Sequence, residues 1–156
     1  MAFDISEYEA IVNEFYRQME ATTRIADIKL GEDKWTLKEM VGHLIDSASN
    51  NHQRFIRLQL ENKLTFPAYE AEEWKNVSKL GGIDYGFLIR FWKQYNTFIL
   101  YIIQQIDHKS LSNYWELDNS QKSLEYLVND YFEHMRFHRK LFDERVGEIK
   151  NYIEQN

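Results

Sequence analysis

The stretch "DYGFLIRFWKQYNTFILYIIQQI", Asp84 to Ile106, decides the fold. Within it Tyr85, Leu88, Trp92, Tyr95, Ile99, Ile102 and Ile106 recur at alternating spacings of three and four. That period belongs to a helix and gathers the seven side chains into one apolar stripe. A helix with one such stripe must bury it against other elements, so its partners have to lie elsewhere in the chain.

Upstream, Ile5, Tyr8, Val12, Phe15 and Met19 keep the same alternation and predict a helix over about 5–22, with Ser6 and Glu9 at capping-box spacing. A second helix is predicted from near Trp35 to about Glu61, again with a capping-box pair, Thr36 and Glu39. Its apolar stripe is Leu37, Val41, Leu44, Ala48, Phe55 and Leu58, flanked by a polar stripe of His43, Ser47, Asn50, Arg54 and Arg57. The segment "LTFPAYEAEEWKNVSKLGG" breaks this pattern and reads as a loop with a short helix near Glu70–Trp74. Downstream, "DNS" at Asp118 to Ser120 offers N-cap residues for a last helix, along which Leu124, Leu127, Tyr131, His134, His138, Leu141 and Arg145 form the stripe. Gly31, Pro67 and the Gly81-Gly82 pair supply the breaks, and no segment reads as a strand. These elements predict one all-α domain over residues 1–156, a four-helix bundle. The long connection between the second and third long helices leaves room for a crossover.

Composition narrows the function. A net charge of −6 argues against a nucleic-acid partner, which needs concentrated Lys and Arg. The absence of cysteine removes disulfides, thiolate metal sites and a cysteine nucleophile together. The N-terminal "MAFDISEYEA" has neither the basic nor the apolar region of a signal peptide, and the longest apolar run, "FILYII", is far short of a bilayer span. The expectation is a cytoplasmic protein with no membrane partner.

The stripe of the last helix carries the chemistry. In "YFEHMRFHRKLF" (Tyr131 to Phe142) His134 and His138 stand four residues apart, on one helical face. Such a pair is either an ordinary polar pair or two ligands of a metal ion. Lying in an apolar seam favours ligation, because two buried imidazoles need partners and one divalent cation satisfies both. His43 is the best-placed third ligand, with Asp46 three residues on as a carboxylate that can orient its ring; the alternative is an exposed helical histidine. His52 and His108 are poorer candidates.

The segment "WTLKEMVGHLIDSASNNHQRFIRLQLENKLTFPAYEAEEW", with "GHLIDS" around His43, then Asn50, Arg54, Pro67, Tyr69 and Trp74, and finally the HxxxH of His134 and His138, resembles the DinB-like superfamily, most closely its YfiT-type branch. The resemblance spans about residues 35–142. It implies a bundle of up-down-down-up order holding one divalent metal per chain on His43, His134 and His138. The metal is expected to be zinc or nickel, sometimes iron or manganese, in a chain that commonly forms homodimers. Relatives include thiol transferases using bacillithiol-type thiols and metal-dependent hydrolases.

Three protein ligands leave open positions for catalysis. With no cysteine in the chain, a thiol nucleophile has to arrive as co-substrate. The function expected is therefore activation of a low-molecular-weight thiol for S-transfer to an electrophilic substrate. The alternatives are hydrolysis by water that the metal activates, or a non-catalytic metal-binding bundle expressed under stress. Asn50, Arg54, Tyr69 and Trp74 are the candidate substrate-binding residues. Arg54 can grip a carboxylate, or it can be an exposed arginine bridging to a neighbouring glutamate.

Overall fold

The apolar stripes meet as four long helices in a computed structural model that describes residues 3–156; Met1 and Ala2 of the N-terminal stretch lie outside it. The helices are α1 (Ile5–Glu20), α2 (Leu37–Leu60), the short α3 (Ala71–Ser78), α4 (Tyr85–Gln104) and α5 (Leu124–Gln155). Among the described residues no helix is long and apolar enough to cross a membrane.

Side-chain contacts fix the order and direction. Tyr8 stacks on Phe132 and Phe15 lies edge-on to Phe142, so α1 and α5 run parallel. Thr22 meets Tyr85 and Phe15 meets Trp92, so α1 and α4 run antiparallel. His43 meets His138 and Phe55 meets Tyr131, so α2 opposes α5. The four helices therefore follow up-down-down-up order, with α2 and α4 parallel neighbours. A parallel pair needs its connection to travel back along the bundle, and residues 61–84, carrying α3, make that crossover.

The predicted stripe of α2 is buried in full. In α4 the buried set also includes Asn96, 1% exposed, which donates to the Trp92 carbonyl and accepts from the Tyr131 hydroxyl at 2.6 Å. This satisfied polar pair anchors Tyr131 between α4 and α5. The centre of the core is Phe15, Trp92 and Phe142, all fully buried.

Three local expectations are corrected. Asp4, not Ser6, caps α1, its side chain accepting from the Glu7 amide. The short helix extends to Ser78. Most consequentially, "DNS" does not cap the last helix. Asp118 and Asn119 take φ of 48° and 63° in the tight turn of a hairpin, β2 (Tyr114–Leu117) and β3 (Ser120–Ser123), against which β1 (Lys63–Leu64) pairs in parallel. Asp and Asn suit N-caps and positive-φ hairpin turns alike, which is why the local signal misleads. Ser123 is the actual cap, accepting from the Tyr126 amide.

Candidate metal centre

The capping box predicted at the start of α2 is present: the Thr36 hydroxyl accepts from the Glu39 amide, and Glu39 accepts from the Thr36 amide. It fixes the first turns of the helix and with them His43. The neighbouring Gly42 is a close approach, since a Cβ there would stand 2.0 Å from Leu80 Cδ1, so the crossover packs directly on α2 beside the histidine. The Trp35 ring lies edge-on to His43 at 5.8 Å. From α5, His138 faces it, and the two Nε2 atoms are 3.2 Å apart.

The expectation that both α5 histidines lie in the buried seam is corrected. The buried line of α5 passes through Tyr131, Met135 and Phe142. At about 100° per residue His138 sits just beside that line and His134 roughly 60° from Tyr131, on the flank. His138 is accordingly half-buried, whereas the side chain of His134 is 60% exposed. The two rings remain nearly parallel, 5.6 Å apart, and His134 Nδ1 lies 3.9 Å from an Asp130 oxygen.

Burial, with a smaller contribution from His134, lowers the pKa of His43; burial, then His43 and His134, bring His138 down to about 4. Both are neutral at physiological pH, the state in which an imidazole nitrogen can ligate. Two nitrogens each about 2.0–2.1 Å from one ion in tetrahedral coordination lie roughly 3.3 Å apart, so the His43–His138 spacing suits a shared ion as well as an N–H···N hydrogen bond. Among the described residues, however, no three His, Asp or Glu side chains gather into a metal-holding group. The donor chemistry fits a divalent ion through two converged imidazoles, and His134, beside them with an exposed ring, has the freedom to turn.

The pair stands between two cavities. On one side is a largely apolar pocket of about 360 Å³ walled by Phe15, Trp35, Met40, Leu44, Leu141 and Phe142, with Asp33, Glu144, Arg145 and Glu148 also lining it. On the other is a polar cleft of about 240 Å³ that His134 also lines, with Ser47, Asn51, Arg54, Tyr69, Trp115, Lys122 and Asp130.

The remaining candidates are distributed unevenly. Tyr69 reaches the cleft, its hydroxyl 3.4 Å from His43 Nδ1, and is pushed up to about 12 by burial and the Asp46 charge, so it stays protonated. Trp74 packs on Tyr69 with ring centres 4.9 Å apart and faces outward, 39% exposed. Asn50 is buried and donates to the Asp46 carbonyl, while its neighbour Asn51 lines the cleft. Arg54 is not the exposed, glutamate-bridged arginine of the alternative expectation: it is 8% exposed, with its guanidinium stacked 4.1 Å over Trp115. Trp115 and Lys122, which belong to the hairpin, were not legible as site residues, because the hairpin itself was not.

Asp46 lies half-buried beside this site, and it is the Tyr69 hydroxyl that stands against His43 Nδ1. Burial pushes the Asp46 carboxyl up to about 6 from an ordinary 3.8. The folded chain thus holds this proton more tightly than the unfolded one, and stability from this group falls as pH rises from about 4 to about 6. Asp46→Asn removes the charge and is expected to stabilise metal-free protein by about 1 kcal/mol at pH 7.5, allowing for partial exposure, a rise of roughly 2–4 °C in Tm. The gain should vanish near pH 4; thermal unfolding at the two pH values measures it.

No protein-family model matches the chain, and no curated protein matches it. Solved structures do match, two Bacillus subtilis proteins among them. YfiT from Bacillus subtilis, described as a probable metal-dependent hydrolase with an unusual four-helix bundle topology, superposes with a TM-score of 0.75 at 15% identity, over 92% of this chain and 87% of that one. A DinB-like protein from the same organism, YjoA, gives 0.63 at 15% identity, over 94% and 90%. The chain has the DinB-like fold in its YfiT form.

Proposed function

We propose that this chain is a metal-dependent enzyme that activates a low-molecular-weight thiol of the bacillithiol type and joins the intact thiol through its sulfur to an electrophilic carbon, the thiol losing its proton and the electrophile its leaving group. One divalent ion, zinc or nickel, is held by His43, His134 and His138. Bound there, the ion supplies Lewis acidity, which lowers the pKa of a coordinating thiol or water.

The observation that carries this reading is the pair of compartments flanking His43 and His138. A transferase must bring two organic molecules together at one point, and a largely apolar pocket backing onto a polar cleft suits an electrophile and a polar thiol. A hydrolase needs one organic compartment, because water needs none. The chain's own groups assist in recognisable ways. When His43 donates its Nδ1–H to the Tyr69 oxygen, the Nε2 lone pair is left facing His138, the tautomer that ligation requires. Trp35 covers the edge of the His43 ring, and Trp74 packs on Tyr69 from outside. Asn50, buried against Asp46, serves by holding the helix turn that carries the site. The cytoplasm, where small thiols are kept reduced, is the compartment this chemistry requires. A homodimer is supported by the exposed apolar face of α4, where Phe87, Phe91, Phe98 and Tyr101 lie open.

Hydrolysis is the second reading, favoured by the likeness to a probable metal-dependent hydrolase. Metal-loaded protein incubated with monobromobimane and bacillithiol is expected to form the thioether faster than the uncatalysed control. Cleavage of a p-nitrophenyl ester without thiol, and no thiol transfer, selects the hydrolase. Neither activity at full metal occupancy selects the non-catalytic metal-binding bundle.

A further inference from the structure

We infer that Arg54 is a recognition point for a carboxylate, so that the molecule occupying the polar cleft is a small organic carboxylate. This deepens the reading above by naming the class of the polar substrate.

Arg54 is a buried cation that the protein leaves unanswered. It is 8% exposed, yet no carboxylate of the described residues pairs with it, and its Nε is enclosed with no hydrogen-bond partner. Buried charges persist in proteins when they are paired or have work to do, because desolvation otherwise disfavours them. The Trp115 indole covers one face of the guanidinium at 4.1 Å. Stacking of this kind fixes the plane of the group and leaves the N–H donors beyond the enclosed Nε for a planar acceptor in the cleft that Arg54 lines. A carboxylate is that acceptor.

Charge supports the same class. The other charged side chains lining the cleft are Lys122 and Asp130, which with Arg54 sum to +1. That surplus favours an anion, and the planar fork of the guanidinium matches the planar acceptor pair of a carboxylate. The cleft extends from Arg54 to His43, His134 and His138, so a molecule held by its carboxylate presents its remaining atoms to the histidines. At about 240 Å³ the space is at the small end of ligand sites, which suits a small molecule or the carboxylate-bearing end of one.

The test uses full-length protein stripped of metal with EDTA, so its result is independent of whether the histidines hold an ion. Succinate, its uncharged analogue succinamide and inorganic phosphate are titrated calorimetrically into wild type, Arg54→Gln and Arg54→Met. Succinate is expected to bind wild type with succinamide at least tenfold weaker, and Arg54→Gln is expected to weaken succinate at least tenfold. Arg54→Met, which removes an unpaired buried charge, should melt no lower than wild type while losing succinate binding. Equal succinate affinity in wild type and Arg54→Gln, or succinamide binding as well as succinate, overturns the proposal. So does phosphate binding more tightly than succinate. A fall of more than about 5 °C in Arg54→Met would assign the guanidinium to the fold instead. Metal binding that fails while succinate binding survives would remove the metal reading and leave this one intact.

Discussion

Alanine at His138 is expected to abolish stoichiometric metal binding while leaving helical content and fold unchanged. Its Nε2 is 3.2 Å from that of His43, and no other imidazole stands opposite His43 so closely. Outer partners of metal ligands commonly carry about 10–100-fold in affinity, and the loss of a direct ligand should exceed that. Wild-type protein without a purification tag should bind about one divalent ion per chain. His134→Ala is the decisive companion, because His134 stands beside the converged pair without joining it. If it supplies the third nitrogen, this variant also loses stoichiometric metal; if elemental analysis finds one ion per chain retained, the assignment of His134 fails. His52→Ala and His108→Ala should leave binding unaltered, since His52 is turned to the Tyr95 hydroxyl and His108 is exposed on the far connection. Lowering the pH should release the ion, because protons compete for the same nitrogens.

The largest effect on stability is expected from Phe15→Ala. The ring is fully buried and packs edge-on against Trp92 at 5.4 Å and Phe142 at 5.5 Å, tying α1 to both α4 and α5. Removing a buried phenyl ring loses its transfer free energy and leaves a cavity, together about 3–5 kcal/mol. That is a large share of the roughly 5–15 kcal/mol by which domains are stable, and Tm should fall by about 10 °C or more. Tyr152→Ala, at a residue that is 49% exposed near the end of α5, should change stability by no more than about 0.5 kcal/mol. Because Phe15 also walls the apolar pocket, its loss enlarges that pocket towards the core. Chemical denaturation of both variants distinguishes a core contribution from a general sensitivity of aromatic positions.

Much of this molecule is written in local periodicity. The stripes at alternating three and four spacing are sufficient for four long helices, since a 3.6-residue repeat is a property of neighbouring residues alone. The capping box at Thr36 and Glu39 is likewise a four-residue matter and is found where the sequence puts it. His134 and His138 stand out by their four-residue spacing within one stripe, and His43 by bordering another, while the set of three as ligands comes from the family resemblance. Periodicity does not say how deep a position lies. The seven-position stripe of α5 includes His134, but only the packing of Tyr131, Met135 and Phe142 against α1 and α2 rotates the helix so that His134 is left on the flank. Nor does it resolve "DNS", whose side chains serve a helix cap and a hairpin turn equally well.

Sequence by itself thus determined the elements, their apolar faces and the residue types available for chemistry, because each depends on spacing along the chain. Tertiary structure alone decided which faces meet, that His43 and His138 come together across 95 residues, and that the hairpin sets Trp115 over Arg54. Those pairings depend on which buried surfaces fit one another across long sequence separations, and no local pattern encodes that.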